Sequence, residues 1–174
     1  MVSPGALRFS LVSESRKEFD MSTIERSIEV AVPVETAYNQ WTQFEEFPRF
    51  MEGVEAVRQL DARKLHWVAE VAGQHREWDA EITEQVPDQR IAWRSTDGTR
   101  NAGVVTFHRL GDDRTKVMLQ LEFEPDGAVE HVGDLLGLVE HRAAGDLERF
   151  REFIEVRGQE SGAWRGEVQR PGTN

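Results

Sequence analysis

A chain of 174 residues, 39% hydrophobic and 30% charged, has the length and composition of one soluble domain with a core of its own. Its formal charge of −11 and pI near 5.0 exclude the concentrated basic surface that nucleic acid requires, and disfavour docking on an anionic membrane. It has no cysteine, which removes disulfides, thiolate metal sites and thiol nucleophiles and fits a cytoplasmic location.

The opening stretch, MVSPGALRFSLVSESRKEFD, places Arg8 inside a weak apolar patch and has no clear small-residue cleavage site. It reads as neither signal nor anchor, and residues 1–21 are expected to be a disordered extension. No apolar run reaches the length of a membrane span. Residues 23–32 set Ile24, Ile28, Val30 and Val32 against Glu25, Ser27 and Glu29, the period of a half-buried strand, with Arg26 the one exception. Pro33 ends that strand and opens a short helix carrying Val34, Ala37, Tyr38 and Trp41 on one side. Tyr38 is expected to pack beneath it with a satisfied hydroxyl. A second short segment, FEEFPRFME, gathers Phe44, Phe47, Phe50 and Met51 around Pro48, which forbids a long helix.

From Gly53 the period changes to two. Strands are predicted over residues 54–60, 64–71, 76–85, 90–95, 103–110 and 115–123, divided by turn sequences such as Asp61-Ala62-Arg63, Thr96-Asp97-Gly98 and Gly111-Asp112-Asp113. One face carries Leu65, Trp67, Ala69 and Val71, then Trp78, Ala80 and Ile82, and finally Val117, Leu119, Leu121 and Phe123. Connections this short make neighbouring strands antiparallel and sequential.

Residues 130–157 return to the helix period, with Val132, Leu136, Val139, Ala143, Leu147, Phe150 and Ile154 on one stripe. Asp126 and Gly127 stand where a cap belongs, and Gly158 where such a helix stops. The rod would be about 42 Å long at about 1.5 Å per residue, too long for a small domain unless something wraps it. Residues 158–174 are polar and Gly-rich, and are expected to be a flexible tail in which Trp164 alone is able to dock. The domain is therefore residues 22–157, and its class is α+β: a curved seven-stranded antiparallel sheet wrapped on the C-terminal helix, with two short helices after the first strand. A sheet curved round a rod leaves a hollow unless large side chains fill it. The small helices would close one end.

Three segments carry a resemblance: VPVETAYNQWTQFEEFPRFMEGVEAV, WDAEITEQVPDQRIAWRSTDG and GDLLGLVEHRAAGDLERFREFIE. Together they resemble the polyketide cyclase/dehydrase branch of the START-like (SRPBCC, Bet v 1-like) superfamily, with coenzyme Q-binding START-domain proteins as relatives, over about residues 22–157. The resemblance implies the helix-grip fold and an apolar pocket between sheet and C-terminal helix. It also implies a range of roles: cyclases, lipid and quinone carriers, hormone receptors and co-chaperones. Aromatic cyclases of this kind are thought to use an arginine near the end of the fourth strand, a tyrosine after the second small helix and an asparagine on the long helix. Those positions fall on Glu84 or Gln85, near Gly53 and near Glu140, and none of the three matches.

Candidate ligand contacts are the aromatic set Trp41, Phe44, Phe47, Phe50, Trp67, Trp78, Trp93 and Phe107, with Leu119, Leu121, Leu136 and Val139. The alternative for each is plain core packing. Candidate polar groups are Glu84, which strand parity adds to the inward set, and Arg94, which turns inward if Trp93 faces out. An acidic side chain in an apolar pocket would have its pKa raised and serve as general acid or base; the alternative for both is a strand-end charge in solvent. The histidines form no metal-ligand spacing, and no nucleophile elbow, phosphate loop or dinucleotide glycine pattern occurs, so no metal and no cofactor are expected.

Three functions follow. The preferred one is binding of a small hydrophobic molecule (a polyketide, quinone or lipid), where burying about 300 Å² yields about 7–8 kcal/mol before ordering costs, micromolar binding at best. The others are an active polyketide cyclase or dehydrase, and a co-chaperone-like interaction module whose interior is filled by its own side chains. A homodimer through an edge strand is compatible with all three.

Overall fold

A computed structural model describes residues 22–98, 100–124 and 132–170. Strand β1 (Ser22–Val30) is followed by helix α1 (Val34–Trp41) and a 3₁₀ turn (Phe44–Arg49). Six strands come next: β2 (Val54–Gln59), β3 (Lys64–Val71), β4 (Gln74–Val86), β5 (Arg90–Ser95), β6 (Asn101–Gly111) and β7 (Arg114–Phe123). The long helix α2 (Val132–Arg157) closes the order, which is the helix-grip α+β arrangement. The sheet order is β1-β7-β6-β5-β4-β3-β2 and every pair is antiparallel, so β1 and β2 are its edges. The expected Asp126–Gly127 cap and the extension at residues 1–21 lie outside the described residues.

Strand parity decides which side chains meet the helix. Ile24, Ile28 and Val30 of β1, Leu65, Trp67 and Ala69 of β3, and Val117 and Leu119 of β7 are buried on the concave face. Arg26, the apparent exception, shares the parity of that inward set, and it reaches out to Glu140 of α2 at 2.8 Å. A charge sits there because the helix edge lies within a side chain's length, and a paired charge at a half-open seam costs little.

Helix α2 divides into two halves. Ala143, Leu147, Phe150 and Ile154 are buried at the helix period. Further toward its start, Leu136 and Val139 are only partly buried and Leu138 is 41% exposed. The gripped half meets an aromatic plug built by α1 and the 3₁₀ turn. Pro48 stops helix formation after α1, so the chain doubles back and turns Phe47 and Phe50 onto Trp41, with Phe44 against Phe47. Trp41 stands edge-on to Phe47 at 5.3 Å and to Phe150 at 5.4 Å, while Phe50 lies 5.2 Å from Phe150. Edge-to-face contacts of this kind add about 0.5–1.5 kcal/mol each beyond buried area.

Residues 158–170 are not the flexible tail that composition suggests. They run back over α1, whose Asn39 and Gln40 are buried although their side chains are polar. Asn39 donates to Glu160 at 3.0 Å and accepts from Arg165 at 2.8 Å; Gln40 accepts the Ser161 N–H at 2.9 Å. Trp164 donates its backbone N–H to Thr42 Oγ1, and Arg165 holds Asp88 in a two-pronged pair. Val168, 3% exposed, pairs with Gln85 across the part of β4 that extends past β3. A buried amide must be hydrogen-bonded, and here the tail supplies the partners. Tyr38 is also fully buried, with its hydroxyl beside the Gln85 side-chain amide and the Arg165 guanidinium over its ring. Burial pushes that phenol above its ordinary pKa.

Candidate functional site

Where the first half of α2 passes over the sheet, the two surfaces stay apart. Between them lies a cavity of about 360 Å³, open at one end of the molecule. Its wall on the sheet side is Trp67, Trp78 and Trp93 with Ala69, Leu119 and Leu121. Its roof is Leu135, Leu138, Val139 and Ala143 of α2. The β3–β4 hairpin, turning through Ala72 and Gly73 at φ 52° and 78°, and the Gly53 turn form part of the rim.

The tryptophans are held by register. Trp67 and Trp78 are opposite one another on β3 and β4, and their rings stack at 6.0 Å with planes 3° apart. Trp93 faces Gly103 on β6, and the missing side chain is what admits its indole: a Cβ there would stand 2.4 Å from Trp93 Cζ2. Small residues opposite large ones leave flat aromatic surface facing the hollow.

Of the acidic residues that line the cavity, Glu52, Glu70, Glu122 and Glu124 are exposed, and Asp146 is the one whose side chain is largely buried. Asp146, on α2 one turn beyond Arg142, accepts the Glu52 N–H at 2.9 Å on Oδ1, and the same oxygen accepts from Arg149. Arg149 in turn donates to the Phe50 carbonyl at 3.0 Å. Burial pushes the Asp146 carboxyl above the usual carboxylate range, against the pull of Arg149, the Glu52 N–H and Arg142. Arg142 donates to the Glu70 carbonyl at 2.7 Å and fills the space beside Gly53, where φ is +89°. These contacts strap α2 to the β2–β3 end of the sheet along one side of the cavity.

Six of the residues expected against a ligand, Trp67, Trp78, Trp93, Leu119, Leu121 and Val139, line the cavity. The others do not. Trp41, Phe44, Phe47, Phe50 and Phe107 are each 5% exposed or less within the plug, and Leu136 packs on the edge of the core outside the wall. Glu84 and Arg94 are corrected outright. A bulge between Ile82 and Glu84 shifts the parity of β4, so Gln85 turns inward and Glu84 turns out to Arg90 and Arg170. Trp93 faces the cavity, so Arg94 faces away and pairs with Glu81 at 3.4 Å. Asp146 and Arg142 were the residues sequence reasoning passed over. Their signal was there: both flank Ala143 on a helix face that is otherwise apolar. Among the described residues no cluster is placed to hold a metal ion.

The model of the family described as polyketide cyclase/dehydrase and lipid transport matches residues 30–151, from the end of β1 into the gripped half of α2. The chain belongs to this family. Within it, an uncharacterized 17.2 kDa protein of Streptomyces lincolnensis is 62% identical over 149 residues, 85% of this chain and 99% of its own. The fold of this polyketide cyclase/dehydrase family member is shared with solved structures. The aromatase/cyclase ZhuI of a Streptomyces species superposes with a TM-score of 0.68 at 19% identity, over 83% of this chain and 99% of that one. A Deinococcus radiodurans protein superposes with a TM-score of 0.62 at 26% identity, over 78% and 99%. The family is one in which the same grip serves more than one chemistry, so the site itself must say what is bound. No helix among the described residues is long and apolar enough to cross a membrane.

Proposed function

We propose that this protein binds a small hydrophobic molecule, flat or elongated, in the cavity between the sheet and the first half of α2. The observation that carries this is the hollow itself: about 360 Å³ faced by three tryptophans in a chain that elsewhere fills its interior with aromatic rings. Cavities of this size and lining suit ligands of that kind. A polyketide, a quinone and a lipid chain all offer the required apolar surface. Burying about 300 Å² of it at about 25 cal/mol/Å² yields about 7–8 kcal/mol before ordering costs, which makes micromolar affinity the upper limit. The interaction-module reading needs a filled interior, and the plug occupies one end only.

The test uses N-phenyl-1-naphthylamine, a neutral fluorophore that brightens in apolar surroundings, together with native mass spectrometry of the purified protein for a co-purified molecule. The wild-type protein should bind the probe at micromolar concentration. Ala69→Phe, which puts a ring into the cavity from a wall position 4% exposed, should abolish binding while the fold persists. Undiminished binding by that variant would place the probe elsewhere and end this reading.

A second reading, cyclase or dehydrase chemistry, is favoured by Asp146. A carboxyl raised above its usual range in an apolar wall is where a general acid or base for enolisation or loss of water would stand. Turnover of an enolisable substrate that disappears in Asp146→Asn, with probe binding kept, would support the enzyme over the carrier.

A further inference from the structure

The two oxygens of Asp146 are used unequally. Oδ1 accepts both the Glu52 N–H and Arg149. Oδ2 accepts from no described residue, yet it is absent from the fully buried, unpartnered atoms, so it keeps open surface on a side chain that is 15% exposed. The carboxylate is thus clamped by one oxygen, on a residue that lines the apolar cavity. An acceptor that water can still reach is left unsatisfied when an apolar ligand displaces that water, unless the ligand brings a donor of its own. The surroundings say which donor. Glu52, Glu70, Glu122 and Glu124 lie round the cavity against Arg76 and Arg142, and Arg142 is already spent on the Glu70 carbonyl. With Arg149 paired to Asp146 and Glu52, and Arg100 to Glu124, five acids still face four arginines among the described residues, a balance that gives an anionic ligand no advantage.

We infer that Asp146 is the specificity-determining acceptor of this pocket, and that the ligand is a neutral hydrophobe bearing a hydroxyl group which donates to Asp146 Oδ2. The inference rests on the cavity being the binding site. It assigns the ligand one polar feature and sets aside two ligand classes, the bare hydrocarbon and the free acid. The raised pKa of Asp146 fits the same picture, because a carboxylate short of donors is easier to protonate.

Three naphthalenes of near-equal size make the test: 2-naphthol, its methyl ether 2-methoxynaphthalene, and 2-naphthoate, each competing with N-phenyl-1-naphthylamine. The wild-type protein should rank them naphthol, ether, naphthoate, with naphthol favoured over the ether by about tenfold or more, as a hydrogen bond to a charged acceptor allows. In Asp146→Asn the retained carbonyl can keep the Glu52 N–H while an amide N–H₂ replaces Oδ2, a donor where an acceptor stood. The naphthol preference should then vanish or turn toward the ether, with ether affinity little changed. A merely structural Asp146 would weaken all three alike. An equal naphthol-to-ether ratio in the two proteins overturns the inference while leaving the cavity reading intact. Failure of the wild-type protein to bind either neutral compound removes the cavity reading, and this inference with it. Should the variant not fold, the Asp146 carboxyl ¹³C resonance of the wild-type protein answers the question: naphthol must move it and the ether must not, and an equal response counts against the proposal.

Discussion

Trp93 reaches the cavity wall only because residue 103 is a glycine. A methyl group there would meet the indole at 2.4 Å, and the neighbour is a rigid ring held between strands. Gly103→Ala should therefore cost about 1–3 kcal/mol in urea denaturation and weaken probe binding, since the ring that must shift forms the wall. Unchanged stability would mean that Trp93 has room the register does not suggest. On the opposite, convex face, His66 sits between two acids, its Nδ1 2.7 Å from Asp79 and its Nε2 3.3 Å from Glu77. These partners, Asp79 foremost, raise its pKa above the ordinary 6.5. A folded pKa above the unfolded one means the folded chain holds the proton more tightly. The stability this adds is complete below pH 6.5 and is lost as pH rises through the raised value. His66→Asn should flatten that part of the stability-versus-pH curve; superimposable curves for the two proteins would show the pair does nothing for folding.

Among the elements, the segment after α2 changes most between expectation and structure. Its composition is that of a linker, yet Ser161, Trp164, Arg165 and Val168 each meet a buried partner on α1 or β4. Removing residues 158–174 would take Glu160 and Arg165 from Asn39, leave Gln40 with Glu46, and uncover the free edge of β4 at Gln85. We expect a loss of at least about 3 kcal/mol, from several hydrogen bonds at about 1 kcal/mol each and the buried Val168 side chain. Differential scanning calorimetry of the truncated chain reads it, and a melting temperature equal to that of the full chain would refute it. Helix α2 teaches a related lesson. Its stripe is continuous in sequence, but only the second half finds the sheet and plug close enough to bury it.

For the molecule as a whole, the contrast is between a filled end and a hollow end under one helix. Phe47, at the centre of the plug and 1% exposed, touches Trp41, Phe44, Phe50 and Trp67. Phe47→Ala should cost about 3–5 kcal/mol, the scale for deleting a buried ring, while the folded fraction still binds the probe. Trp93→Ala should do the reverse, costing less stability and most of the binding. Equilibrium unfolding and a probe titration on the same two proteins separate these outcomes, and a single rank order for both properties would erase the division between plug and pocket.

Period and turn chemistry alone determined the seven strands, the sequential antiparallel pairing from β2 to β7, the wrapped helix and the inward sets from Leu65 to Phe123, but not the place of β1 beside β7. Those are consequences of backbone geometry acting over a few residues, and they are written locally. The same sequence placed Phe47 and Trp93 in one list, because an aromatic residue looks alike whether it fills space or borders it. Only the tertiary structure decided between them, since that depends on how close the far end of α2 comes to strands up to a hundred residues away in the chain. It also decided Glu84 against Gln85, where one bulged residue reverses which side chain points inward. And it brought Asp146 to the cavity wall, where Glu52 and Arg149 converge on one of its oxygens once the helix has docked.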